Sequence, residues 1–365
     1  MYFLIFSVFL IFYAKTYEIS SDRFSSLILF LLLVSLYSFL PALQYEVGTD
    51  YNSYYQSVYK DSKSSVFFNK GEFLFHYLIE FIEALSLHQQ FIFVFSGIIQ
   101  GALFVNILRV FRRQGYSISL IAFLFIVVTG IYHNQLNGLR NYIAILSFVN
   151  LCLYSAENKY IKSIIIAIFG ALFHQSFLLA VICTLPIILF KHKIYKNIFL
   201  VYLLSFLVFA SGTPMLILEN LINIFAPFYA HYLNYESSVS ALNIATRAIY
   251  VPIALVFFWY FYKVLKKKGL SDFDKAILSI WAVSANLFFL LIYWGPFFRL
   301  IGYFSFFSIV PIYFVLRSKE INKEMRYIIL LLLIASYIPK VTFFAEGEYS
   351  YSSIIQSSLK SHDPP

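Results

Sequence analysis

Apolar runs separated by short charged loops recur along nearly the whole 365-residue chain, and this alternation restricts the fold more than any single motif. A bilayer core about 30 Å thick requires about 20 predominantly apolar residues per crossing helix. The runs lie at 2–14, 24–43, 91–110, 117–132, 141–156, 161–190, 197–211, 247–265, 275–294, 300–316 and 327–339. With 12% charged and 61% hydrophobic residues, the chain is far from the balance of a soluble domain. The expected fold is an all-α polytopic membrane bundle, a single transmembrane domain over 1–365 with about ten full spans. The start, "MYFLIFSVFLIFYAK", has no basic segment ahead of its apolar run, so it reads as a first span with its N-terminus outside, not as a cleaved signal.

The run 161–190 is too long for one crossing, because as a single helix it would measure about 45 Å. Loop charge chooses between a tilted helix and a re-entrant hairpin. If 161–190 enters and returns on one side, "KTYEISSDR", "RVFRR", "ENKYIK", "KHKIYK", "KVLKKKGLSDFDK" and "RSKEINKEMR" share one face, which then carries 19 of the 27 Lys and Arg. A single crossing destroys that asymmetry, which is what orients membrane proteins. The hairpin is therefore expected, turning near "ALFHQSF" with His174 at the turn inside the membrane, where irregular backbone is tolerated if it is buried in protein or lines a cavity. The same partition assigns the net charge of +9 to cytoplasmic loops, so it does not point to nucleic acid. Cys152 and Cys183 both lie in apolar runs and define no disulfide or zinc framework.

Two long loops then face outward. In the first, 44–90, "YEVGTDYNSYYQSVYK" is followed by "GEFLFHYLIEFIEAL", where Glu72, His76, Glu80 and Glu83 fall on one face of an amphipathic helix. The second, 212–246, joins "PMLILENLINIF" to the aromatic run "FYAHYLNYE".

Three arginines stand at outer membrane edges against the positive-inside trend: Arg140 in "NQLNGLRNYIA", Arg247 in "NIATRAIYVP" and Arg299 in "YWGPFFRLIGY". Each can snorkel or hold a lipid headgroup; as a trio they can form a cradle for phosphate, whose oxygens match the guanidinium fork. His174 is either a hydrogen-bonded core histidine or a group titrating near neutral pH that serves as acid, base or phosphate donor. Asp50 is either a turn residue or a catalytic carboxylate, and Glu72 either a helix N-terminal acid or the same. Tyrosines 51, 54, 55, 229, 232 and 235 lie in the outer loops, and Tyr51, Tyr54 and Tyr232 in particular are candidates to stack on sugar rings. "SDFDK" reads as a helix cap through Ser271 and Asp274 in preference to a metal-binding Asp-x-Asp. No metal site and no cofactor are expected.

"GTDY" in the first large outer loop, "GEFLF", "LRNYIA" in mid-chain and "ALFHQSF" about 34 residues later occur in an order that resembles the EpsG-like and Wzy-type polysaccharide polymerases. The resemblance covers roughly 45–180; Phe73 departs from the proline that many relatives carry after the glutamate. It implies a metal-independent glycosyltransferase of the bacterial inner membrane that joins undecaprenyl-pyrophosphate-linked repeat units on the periplasmic side, building O-antigen, capsule or exopolysaccharide. It also implies a chain-length regulator and a flippase as protein partners. Under that reading His174, Asp50 and Glu72 compete for the role of acceptor base, while Arg140, Arg247 and Arg299 hold the pyrophosphate. Rival readings are a flippase or other transporter of lipid-linked oligosaccharide, the related O-antigen ligase and a membrane scaffold. Transporters usually carry ionisable residues near the midplane, and here only His174 and the hairpin match that pattern.

Overall fold

The computed structural model describes residues 2–225, 230, 248–293 and 297–356, and among these it is helical, with no strand and a single isolated β-bridge. The described residues contain seven helices long and apolar enough to cross a membrane, or eight if the bent pair Ile198–Ala210 and Thr213–Ile224 is one span. The all-α membrane fold expected from the apolar runs is therefore present, whereas about ten full spans is more than the described residues supply. The shortfall has local causes. The run 117–132 yields only Ile118–Thr129, because Gly130 adopts φ +69° and ends the helix. The run 197–211 continues past Gly212, at φ +72°, into a second helix bent by 72°. The run 161–190 breaks at His174 and Gln175 into two helices of 14 residues, Tyr160–Phe173 and Ser176–Leu189.

The chain divides into two compact units, one formed by 1–150, 166–175 and 337–365 and the other by 151–165 and 176–336. In the first unit, α1 (Tyr2–Ile19) and α2 (Arg23–Leu43) precede the three short helices α3 (Tyr51–Ser57), α4 (Asp61–Asn69) and α5 (Phe73–Ala84) of the outer loop. These are followed by α6 (Phe91–Arg113), α7 (Ile118–Thr129), α8 (Ile131–Asn134) and α9 (Leu139–Ala156), of which residues 139–150 belong to this unit. Asp22 caps α2 by accepting from the Ser25 N–H at 2.8 Å. Small residues bring α2 and α6 together: a Cβ on Gly101 would lie 2.8 Å from Ser38 Oγ, and Ser38 Oγ donates to the Gly97 carbonyl at 2.8 Å. Glycines one helical turn apart are the usual device for such close approach in a bilayer, where backbone proximity replaces hydrophobic drive. The helix α9 is the most enclosed candidate span, 83% buried, and Asn150 on it donates to the Leu103 carbonyl of α6 at 3.0 Å.

The two ends of this unit differ in chemistry. At one end, the Tyr45 N–H donates to the Ser352 carbonyl at 3.0 Å and Gln356 Nε2 to the Tyr2 hydroxyl at 2.7 Å, so the start of α1, the start of the 44–90 loop and the C-terminal segment meet. At the far end of α1, Glu18 accepts from Ser117 Oγ at 3.0 Å and from the Ser119 N–H at 3.1 Å, and the Arg112 guanidinium lies 4.6 Å from the Tyr17 ring centre. The 18 residues of α1 separate these ends by about 27 Å.

In the second unit, the helix Lys191–Lys196, the "KHKIYK" segment, packs on the helix Asp272–Ser284: Ser279 Oγ donates to the Lys191 carbonyl at 3.0 Å and His192 Nε2 lies 4.0 Å from Asp272. The two charged stretches thus occupy one end of their unit. Ser271 caps the second of these helices by accepting from the Asp274 N–H at 3.1 Å, so "SDFDK" is the cap its sequence suggests. The unit also holds a largely apolar cavity of about 330 Å³ whose lining includes Phe199, Tyr202, Trp281, Phe289 and Phe304.

Candidate active site

Glu72, Arg140 and His174 come from three separate motifs and meet inside the first unit. The placement of Glu72 begins with its local sequence. The helix α4 ends in a Schellman turn: Gly71 takes φ +73°, its N–H reaches the Phe68 carbonyl at 2.8 Å, and the Glu72 N–H reaches the Phe67 carbonyl at 2.9 Å. This turn leaves Glu72 at the N-cap of α5 with no side-chain capping bond, fully buried. Its carboxylate faces inward, off the polar stripe on which the spacing of His76, Glu80 and Glu83 places it; His76 and Glu80 remain on that stripe, 3.9 Å apart.

Arg140, the second residue of α9, forms an ion pair with Glu72 through Nη1 and Oε2, and its guanidinium carbon lies 4.8 Å from the centre of the Phe67 ring. A cation in the first turn of a helix opposes the macrodipole, so this position is a poor one for an arginine unless an acid offsets it. His174 closes the group. Its main-chain N–H ends the helix Tyr160–Phe173 by bonding to the Gly170 carbonyl at 3.1 Å, and its Nε2 stands 3.9 Å from Glu72 Oε1 with the side chain 2% exposed. That separation exceeds a hydrogen bond but makes an ion contact once the imidazole is protonated. Gln175 adjoins: a Cβ on Gly71 would lie 3.4 Å from its Nε2, and its buried Oε1 has no hydrogen-bond partner among the described residues.

Burying a carboxylate in this way costs several kcal/mol unless a cation accompanies it. The pair with Arg140 offsets the cost of burying the Glu72 carboxylate. Chemically, the cluster can accept a proton at the imidazole and stabilise the resulting imidazolium, with a guanidinium adjacent.

The remaining candidates are placed as follows. Asp50 is at the N-cap of α3, half-buried, and its carboxylate makes no capping bond. Tyr51 and Tyr54 are buried: Tyr51 stacks on Phe93 of α6 at 4.7 Å and Tyr54 meets Phe75 of α5 edge-on at 5.7 Å. Burial drives the Tyr51 phenol pKa far above its usual value. Arg299 is in the helix Phe297–Ser305 of the second unit. Arg247 and Tyr232, with Tyr229 and Tyr235, lie outside the described residues. Sequence reasoning passed over Asn137, although it stands in the quoted "NQLNGLRNYIA", because an asparagine before a glycine is most simply a turn residue.

Fold and site together define a polytopic helical membrane protein with a buried carboxylate–guanidinium–imidazole cluster. The sequence model of the EpsG family matches residues 27–353, a span that contains all three cluster residues, and the chain belongs to that family. Membership makes it a polysaccharide polymerase-like, glycosyltransferase-like membrane protein. No curated protein and no solved structure matches the chain.

Proposed function

We propose that this protein is an inner-membrane polymerase that joins undecaprenyl-pyrophosphate-linked oligosaccharide repeats at the periplasmic face. The observation that carries the reading is the meeting of Glu72, Arg140 and His174. The reaction has two electrostatic requirements: a base for the acceptor hydroxyl and fixed positive charge for the departing pyrophosphate. His174 takes the hydroxyl proton as the acceptor oxygen bonds to the anomeric carbon of the donor; the bond from that carbon to the phosphate oxygen breaks, and undecaprenyl pyrophosphate leaves with the electron pair. Glu72 stabilises the imidazolium as it forms. Arg140, held by Glu72, directs guanidinium N–H groups at the phosphate, with Arg247 and Arg299 as further phosphate ligands and Asp50 orienting the acceptor sugar. The largely apolar cavity of the second unit suits a hydrocarbon chain better than a glycan and supports a lipid-linked donor.

Purified protein in liposomes, given lipid-linked repeats and no nucleotide sugar, is expected to produce a ladder of polymer. Transfer of repeats across the vesicle wall without any ladder identifies a transporter instead, and transfer of finished polymer to a lipid core without elongation identifies a ligase.

The sidedness is tested separately. With Cys152 and Cys183 replaced by alanine, a Lys193→Cys variant in intact cells is expected to resist a membrane-impermeant maleimide and to react only after the membrane is opened, because "KHKIYK" is assigned to the cytoplasm. Labelling in intact cells overturns the re-entrant hairpin.

A further inference from the structure

The turn that bears Asp50 is fastened to the segment that bears Arg140 by one side chain. Asn137 Oδ1 accepts from the Asp50 N–H at 2.8 Å, and Thr49 Oγ1, whose one proton is shared between Asn137 Oδ1 at 3.4 Å and Asp50 Oδ1 at 3.5 Å, lies beside it. The approach is tight. A Cβ on Gly48 would come within 2.6 Å of Asn137 Oδ1, and Gly48 has φ +76°, so the turn depends on glycine both for its backbone and for its clearance. Arg140 follows Asn137 by three residues, no more than about 11 Å even with the chain extended. "GTDY" and "LRNYIA" are thus two parts of one assembly.

An aspartate at an N-cap ordinarily spends its carboxylate on the N–H groups of the following turn. Asp50 does not: the carboxylate makes no capping bond, and its own N–H is satisfied by Asn137. Asn137 therefore fixes the backbone of the turn, while the half-buried Asp50 carboxylate accepts from the adjacent Thr49 Oγ1 at 3.5 Å and from no N–H of the following helix.

We infer that Asn137 is a positioning residue, clamping the Gly48–Asp50 turn so that the Asp50 carboxylate is held at a set place beside the Arg140 segment to orient the acceptor sugar. The inference rests on the polymerase reading above and adds to it a residue that touches neither substrate nor leaving group.

Two measurements on the full-length protein test it. In hydrogen exchange, Asn137→Ala is expected to speed exchange of the Asp50 amide by about tenfold or more, the scale of one lost hydrogen bond, while Asn137→Asp, which keeps an acceptor oxygen, preserves protection. In the liposome assay, Asn137→Ala is expected to lower kcat to the level of Asp50→Asn with little change in donor KM, and to have no further effect when Asp50 is already asparagine. Asn137→Asp should recover at least about half of the lost kcat relative to Asn137→Ala. Unchanged protection in Asn137→Ala removes the clamp. Losses that add in the double variant, together with a lowered thermal midpoint, show a structural role and overturn the positioning role. If the wild-type protein forms no polymer, the polymerase reading has failed and the positioning role in that reaction fails with it, while the exchange difference still shows whether Asn137 holds the turn.

Discussion

Glu72→Gln is expected to abolish polymer formation and to destabilise the protein, because it removes the buried carboxylate that pairs with the Arg140 guanidinium. Breaking a buried ion pair on one side typically costs about 3–5 kcal/mol, since the surviving charge is desolvated and uncompensated. The same substitution removes the anion that stabilises a protonated His174, which lowers turnover by a further factor of about 10²–10⁴, the range in which general acid–base assistance falls. The two effects separate in a double variant. Removing both charges, in Glu72→Gln with Arg140→Gln, is expected to restore much of the thermal stability lost in either single variant, because an uncharged pair carries no desolvated ion. Turnover should stay absent, since neither the imidazolium partner nor the guanidinium has been replaced. A double variant that polymerises normally would show that the pair serves only to hold the outer loop against α9.

The second large effect concerns the base. Under the proposed roles, His174→Gln abolishes turnover while donor binding persists, because glutamine fills the space and keeps hydrogen-bonding capacity but cannot take up a proton at neutral pH. Asp50→Asn lowers the rate without eliminating it, because an orienting carboxylate contributes geometry and not proton transfer. The check is a comparison of kcat and KM for the two variants, with donor retention measured independently by co-purification of lipid-linked repeats. If Asp50→Asn is inactive and His174→Gln still polymerises, the roles are exchanged: Asp50 is the base, and His174 is a binding or structural residue at the helix break.

The site was partly legible before any tertiary structure. Glu72, Arg140 and His174 each stood out as polar residues in apolar surroundings, and the order of their motifs was enough to suggest the family. Their relation was not legible. Periodicity assigned Glu72 to the polar stripe of a surface helix, and the Schellman turn at Lys70–Glu72 instead aims it inward; a helical wheel applies only to residues inside the helix, and Glu72 is its cap. Arg140 was set beside Arg247 and Arg299 by depth alone, whereas the structure gives it a carboxylate from a loop 68 residues earlier in the chain. The burial of Tyr51 and Tyr54 was equally hidden, because sequence does not distinguish a ring offered to solvent from one packed on Phe93 or Phe75. The described residues supply seven or eight candidate spans where run length suggests about ten, because run length measures hydropathy and helix length is cut by single residues such as Gly130 and Gly212.

Sequence alone determined that the chain is a helical membrane protein and that the long run 161–190 breaks around His174, because these follow from the cost of exposing backbone to hydrocarbon and from the length a bilayer allows one helix. Tertiary structure alone decided that a glutamate, an arginine and a histidine from three motifs form one cluster, and that Asn137 ties the Gly48–Asp50 turn to the Arg140 segment. Such contacts depend on how helices distant in sequence are packed, and residue spacing along a chain carries no information about distances across it.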